Sequence, residues 1–159
     1  MDLISMQIQF LCVGKMREKW LQVGFAEYKK RLSRFATISV LEVADSPDHF
    51  NPAVAVAKEA ELLRKRLPKS GFKVALDLHG KAFSSLEFAK QLSDWQIKGG
   101  GKITFVIAGS NGYEQDFLDL MDERISLSPL TFPHQLTRLI LAEQIFRGFK
   151  ILNNERYHK

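Results

Sequence analysis

Gln7-Ile-Gln-Phe-Leu-Cys-Val13 closes on Gly14, and the residues after it, Met16 to Leu32, set Trp20, Val23, Phe25 and Tyr28 at helical spacing. A strand that feeds a helix is the building unit of a parallel sheet, and here the unit recurs. Thr37 to Val43 is β-branched and apolar, Asp45 to Pro52 is turn-rich, and Ala53 to Leu67 is rich in Ala, Leu, Lys and Glu before Pro68 stops it. Phe72-Lys-Val-Ala-Leu-Asp-Leu78 predicts a third strand, and Ser84 to Ile97 a third helix with Ser85 as its cap. Lys102-Ile-Thr-Phe-Val-Ile107 follows a triple glycine as the fourth strand. Glu114 to Met121 then reads as a short helix, Arg124 to Leu127 as a short strand, and His134 to Leu152 as the last helix. The predicted class is α/β, with a mainly parallel sheet carrying helices on both faces. Residues 1–159 form one domain, without repeat, linker or low-complexity segment.

Sheets of this kind bind ligands beyond the carboxyl ends of their strands. Three consecutive strand ends carry loops of unusual composition: Gly80-Lys81, Gly109-Ser-Asn-Gly112, and Ser128-Pro-Leu-Thr-Phe-Pro133. Their convergence on one pocket is the central spatial expectation. Two glycines and an asparagine allow positive φ and close approach of backbone to a ligand, although a tight turn without a ligand uses the same residues. The loop is no phosphate motif, because neither G-x-G-x-x-G nor a Walker lysine is present. Leu127 to Phe132 offers apolar side chains and main-chain amides and carbonyls, a lining that suits an adenine ring, or else a loop stiffened by prolines.

Hydrophobic residues make up 45% of the 159 positions and charged residues 26%, enough apolar content for a real core in one ordinary domain. A single cysteine, Cys12, permits no internal disulfide, which points to a reducing compartment and to the cytoplasm. No apolar run nears the roughly 20 residues that cross a bilayer, and Met1 to Ser5 lacks a basic leader region, so neither membrane insertion nor export is expected. Net charge is +5, and residues 134–159 hold five basic against two acidic residues, net +3. Such a tail suits phosphate contacts, with Tyr157 and His158 placed to stack on a base, yet mild basicity also occurs in domains that bind no RNA. His79, His134 and His158 are scattered and lack zinc-ligand spacing, so no metal is expected. Cys12, inside a strand, reads as core rather than as a nucleophile.

On the last helix, about 100° per residue sets Leu139, Leu141, Ala142, Ile145, Phe146, Phe149 and Leu152 along one broad arc, with Leu136, Ile140 and Ile151 opposite. One side can pack on the sheet; a second subunit would cover the other most economically, which predicts a homodimer. Arg138 falls in the middle of the apolar arc and must meet a carboxylate, carbonyls or a ligand there. Glu143 and Arg147, four apart, read as an ordinary surface pair.

Gly80-Lys81, Gly109 to Gly112, Thr131-Phe-Pro-His-Gln135, Arg138, Glu143-Gln144, Arg147 and Tyr157-His-Lys159 together resemble the RlmH family of ribosomal RNA large subunit methyltransferases, within the SPOUT superfamily. The resemblance spans nearly the whole chain. It implies a SPOUT-type α/β fold whose carboxyl-terminal part is threaded as a trefoil knot, a feature that is rare in general and that periodicity cannot reveal. It further implies S-adenosyl-L-methionine as cofactor, a homodimer, and methylation of N3 of a pseudouridine in 23S ribosomal RNA, with the assembled ribosome as partner. Leu76, Ala108, Gly109, Leu127, Ser128, Pro129, Leu130, Thr131 and Phe132 should line the cofactor pocket. His134, Arg138, Tyr157 and His158 should grip the target nucleoside, with a histidine or a water as base. Ala108 departs from the family's usual glycine, and the chain starts five residues before Met6, where members usually begin, so Met1 to Ser5 reads as an extension. Two rival readings are a SPOUT enzyme acting on transfer RNA, disfavoured by the absence of an added RNA-binding domain, and a catalytically silent ribosome-associated dimer.

Overall fold

The strand-helix alternation is realised in a computed structural model, which describes residues 6–159, as β1 (Met6–Val13), α1 (Lys19–Leu32), β2 (Ala36–Val43), α2 (Pro52–Arg66), β3 (Phe72–Ala82), α3 (Ser85–Lys98), β4 (Lys102–Ile107), α4 (Gln115–Leu118), β5 (Glu123–Ser126) and α5 (His134–Leu152). Met1 to Ser5, expected as an extension, lies outside the described residues. The five strands pair in the order β2-β1-β4-β3-β5, and every pairing is parallel. Parallel strands need both faces covered, which is why Phe10 to Val13 of β1 and Phe105 to Ile107 of β4 are continuous apolar runs buried on both sides. Ile8, Phe10 and Cys12 of β1 join Ile103, Phe105 and Ile107 of β4 in the larger core, with α1, α3 and α5 on that face. Leu11, Val13 and Val106 point the other way, against Ala60 and Leu63 of α2 and Phe117 of α4.

Local chemistry sets the helix starts. The Asn51 side chain accepts from the Ala53 amide at 2.9 Å and Pro52 opens α2 with its φ already helical. The cap of α3 is Ser84 rather than the expected Ser85: extended at φ −70°, ψ 165°, it accepts from the Glu87 amide at 3.1 Å. Ser85, one residue on, instead donates to Gln144 Oε1 of α5 at 2.8 Å. Helix α1 starts at Lys19, later than the spacing from Met16 predicted, because the Met16 and Arg17 amides are held by Glu42 Oε2 (3.1 Å) and Gln135 Oε1 (2.8 Å).

β3 runs past its expected end at Leu78, but not as a regular strand. It pairs with β5 through Leu76↔Ile125, then bulges, and resumes at Lys81↔Ile125. Asp77 Oδ1 accepts from the His79 amide at 3.1 Å and shapes the bulge. The return stroke passes so close to β5 that a Cβ at Gly80 would lie 2.7 Å from the Arg124 carbonyl carbon and from the Ile125 nitrogen. Glycine is required there by backbone approach.

α5 packs on both α1 and α3. Arg138, Leu141, Ala142, Ile145, Phe146 and Phe149 are buried, while Leu139, expected on the same arc, is half-buried beside Gly24 and Leu152 is exposed. Leu136, Ile140 and Ile151, the opposite stripe, are only half-buried within the chain.

Candidate functional site

The carboxyl ends of β3, β4 and β5 enclose a pocket of about 530 Å³. Its walls are Leu76 to His79 from the β3 bulge, Ile107 to Ser110 with Gly112 and Tyr113 after β4, and Ser126 to Ser128 with Leu130 to Phe132 after β5; His134 and Thr137 of α5 close one side. The three loops singled out by composition do converge, although the bulge contributes His79 to the lining rather than Gly80 or Lys81. The volume falls in the usual range for a small-molecule site, roughly 300–1,000 Å³.

Each wall is held by its own hydrogen bonds. In the last loop, Ser126 Oγ donates to the Ser128 carbonyl at 3.0 Å, and Ser128 Oγ accepts from the Leu130 amide at 2.9 Å, so the turn around Pro129 is held by its own side chains. Ala108 has no positive φ, and its methyl group is accommodated without strain. Gly109 sits in a close-packed place: a Cβ there would lie 3.1 Å from Val13 Cγ1, tight enough to displace that methyl, and 3.5 Å from Glu59 Oε1. Gly112, at φ +80°, is needed for its backbone angle.

Of the residues expected to grip a target, His134 alone lines the pocket, as the first residue of α5. Arg138 is turned inward. It donates to Glu42 Oε2 at 2.5 Å, to the Gly14 carbonyl at 2.6 Å and to the Val13 carbonyl at 3.5 Å, so it staples α5 to the ends of β1 and β2. Tyr157 and His158 lie beyond the end of α5 and outside the pocket lining. Tyr157 packs edge-on against Phe146 with centroids 5.0 Å apart and donates to Glu143 Oε1 at 3.2 Å; burial first, then its neighbours Tyr28 and Glu143, raise its phenol to about 12. His158 Nδ1 sits 3.0 Å from Arg147. Glu143 and Arg147 therefore do pair, at 2.6 Å, but as the centre of a half-buried network rather than as a surface pair. Among the expected cofactor residues, Pro129 alone stays out of the lining.

A family profile described as "Predicted SPOUT methyltransferase" matches residues 6–158. The chain belongs to the SPOUT methyltransferase family. It is 46% identical to "Ribosomal RNA large subunit methyltransferase H" of Carboxydothermus hydrogenoformans, over 97% of this chain and 100% of that one. It is 45% identical to the protein of the same name from Acetivibrio thermocellus, with the same coverage. Among solved structures it is similar to a probable methylase family protein from Haemophilus influenzae, with a TM-score of 0.54 at 13% identity over 99% of this chain and 72% of that one. This last likeness speaks for the fold alone.

Two side chains of this SPOUT methyltransferase's pocket region were invisible to local sequence reading. Tyr113 lines the pocket next to Gly112. Glu59, 3% exposed on α2, accepts from the Ser46 amide at 2.9 Å through Oε2, while its buried Oε1 has no partner and faces Gly109. Both belong to elements whose sequence reads as ordinary helix or turn, and no spacing rule marks them.

His134 is held below its ordinary value of 6.5, first by burial and then by the Arg138 guanidinium; Arg17 acts in the same direction, and Asp45 and Glu59 oppose it. A histidine depressed in the folded state resists protonation only when folded. The stability it contributes is therefore intact above the unfolded value and is lost as pH falls through the lowered folded one. The His134 ring should titrate below 6.5 by NMR. Between about pH 7 and 5, the melting temperature should fall less steeply in His134→Gln than in the unchanged protein. A ring midpoint at or above 6.5 would contradict the assignment.

Proposed function

We propose that this chain transfers the methyl group of S-adenosyl-L-methionine to N3 of a pseudouridine in 23S ribosomal RNA, as a homodimer in the cytoplasm acting on the assembled ribosome, with residues 1–159 as one SPOUT domain whose carboxyl-terminal part is threaded as a trefoil knot. The observation that carries this reading is the convergence of three stiffened strand-end loops on one pocket in a chain of the SPOUT methyltransferase family. The names of its close relatives support ribosomal RNA as acceptor. The half-buried apolar stripe of Leu136, Ile140 and Ile151 supports the homodimer.

The pocket fits the donor by size and by chemistry. Its lining is mostly apolar with polar side chains of Ser126, Ser128, Thr131 and His134 among them, suited to an adenosyl moiety. Leu76, Ala108, Gly109, Leu127, Ser128, Leu130, Thr131 and Phe132 would hold it, with Pro129 stiffening the loop. When bound, the donor supplies an electrophilic methyl on a sulfonium. In that reaction the N3–CH₃ bond would form as the S–CH₃ bond breaks, leaving S-adenosylhomocysteine, and the N3 proton would pass to a base held by this chain. The protein's task is alignment and proton removal. His134, on the pocket wall and biased toward its neutral form, or a water it holds, takes the proton in this reading. Arg138 contributes by fixing the amino-terminal end of α5, and so His134, against β1 and β2.

Tyr157 and His158 lie off the pocket of their own chain, so the tail that contacts the acceptor at one pocket belongs, in this proposal, to the other subunit. Calorimetry with S-adenosylmethionine, together with a methylation assay on ribosomes lacking the modification, tests the reading. Binding with methyl incorporation at the pseudouridine N3 is expected. Binding without incorporation into any RNA would leave a silent ribosome-associated dimer, and incorporation only into transfer RNA would reassign the substrate.

A further inference from the structure

We propose that Tyr113 is a positioning residue for the methyl donor, its hydroxyl tying together the main-chain groups of Leu76, Val106 and Ala108 at the floor of the pocket. The proposal rests on the reading of that pocket as the donor site. The hydroxyl lies 2.7 Å from the Leu76 carbonyl and 2.8 Å from the Val106 carbonyl, and accepts from the Ala108 amide at 3.2 Å. The ladder between β3 and β4 ends at Leu76↔Ile107, so this one oxygen takes over where strand pairing stops. The ring is fixed in turn, stacked on buried Phe117 with planes 1° apart and centroids separated by 6.2 Å. Burial pushes the phenol well above its ordinary range, so the hydroxyl keeps its proton throughout.

A hydroxyl has one proton and two lone pairs. It accepts from the Ala108 amide and donates to the Leu76 or the Val106 carbonyl, one at a time. Leu76 lines the pocket and Val106 is buried. When a ligand N–H or O–H reaches the Leu76 carbonyl, the tyrosine proton turns to Val106, 2.8 Å away, so the hydroxyl keeps both of its roles. The Ala108 amide, in contrast, is already occupied, so donor recognition at this turn passes to its neighbours. Without the hydroxyl, the Leu76 carbonyl and the Ala108 amide are free to drift apart, and the donor must order them on binding.

Tyr113→Phe removes the oxygen and keeps the stacked ring. Calorimetric titration of S-adenosylmethionine should give a dissociation constant about fivefold to tenfold weaker than that of the unchanged protein, the effect of one ordinary hydrogen bond. The KM for the donor should rise by the same factor, with a smaller fall in kcat. Equal affinities, whatever the melting temperature, would reduce the hydroxyl to a structural role and overturn the proposal. If the unchanged protein itself binds no S-adenosylmethionine, the reading of the pocket fails first and this inference falls with it. Should Tyr113→Phe not fold, amide exchange at Ala108 in the unchanged free protein decides: strong protection is expected, and exchange at the rate of an open loop overturns the clamp.

Discussion

Arg138→Leu lowers the stability of the fold by about 3 kcal/mol, the lower end of the range for breaking a buried ion pair, because the Glu42 partner keeps partial contact with water. The substitution leaves the Glu42 carboxylate and the Gly14 carbonyl without the guanidinium that now joins them at 2.5 and 2.6 Å. In a domain of this size the loss corresponds to a fall in melting temperature of roughly 5–15 °C. Donor affinity falls too, since α5 loses its attachment to β1 and β2 beside the pocket. The comparison of interest is with a substrate-gripping role. A residue that only touched RNA would leave the melting curve in place and abolish methylation alone. A melting temperature unchanged to within about 2 °C would remove the staple from this account.

Deletion of Arg156 to Lys159 abolishes methylation, by roughly a hundredfold or more, the size of effect that misplaced positioning groups produce. Donor affinity stays nearly intact, since the tail contributes nothing to the pocket lining. Some stability goes as well, because Tyr157 covers Phe146 and closes the Glu143–Arg147 network. Mixing tail-deleted subunits with subunits carrying His134→Ala then discriminates between a tail acting on its own pocket and one acting across a dimer. The proposed dimer regains activity on mixing, because one pocket in the mixed pair has both an intact His134 and an intact tail. Failure of mixed dimers to regain activity would return the tail to its own subunit, and equal loss of donor binding and turnover in the deletion would contradict the division of labour.

Periodicity carried much of the architecture. The run Gln7 to Val13 announces a strand apolar on both faces, and the structure buries Phe10 and Cys12 on one side and Leu11 and Val13 on the other. The last helix occupies His134–Leu152, the span its pattern predicted, because Pro133 bars continuation on one side and the apolar arc ends at the other. The bulge after Leu76 has no such signal, and the pattern of Phe72 to Leu78 predicts only a plain strand end. Nothing in Asp77-Leu-His-Gly80 reports that β5 will lie 2.7 Å from the place of a Gly80 Cβ, since that neighbour arrives from more than 40 residues downstream.

The candidate site divides in the same way. The glycines and prolines of the loops after β4 and β5 mark a pocket because they constrain their own backbone, and a local constraint is written locally. Arg138 shows the complementary case. Its place on the apolar arc demands a partner, but the identity of that partner, Glu42, 96 residues away, depends on β2 lying beside β1 at the sheet edge. Tyr113 and Glu59 acquire their roles only when strand order brings Leu76, Ala108 and Gly109 within their reach. Helical and strand periods state which side of an element is buried, and that sufficed for an α/β sheet with a pocket at its carboxyl edge. Which polar group meets which across that edge follows from the order β2-β1-β4-β3-β5, and short-range patterns hold no record of strand order because hydrogen bonding between strands is indifferent to the distance along the chain that separates them.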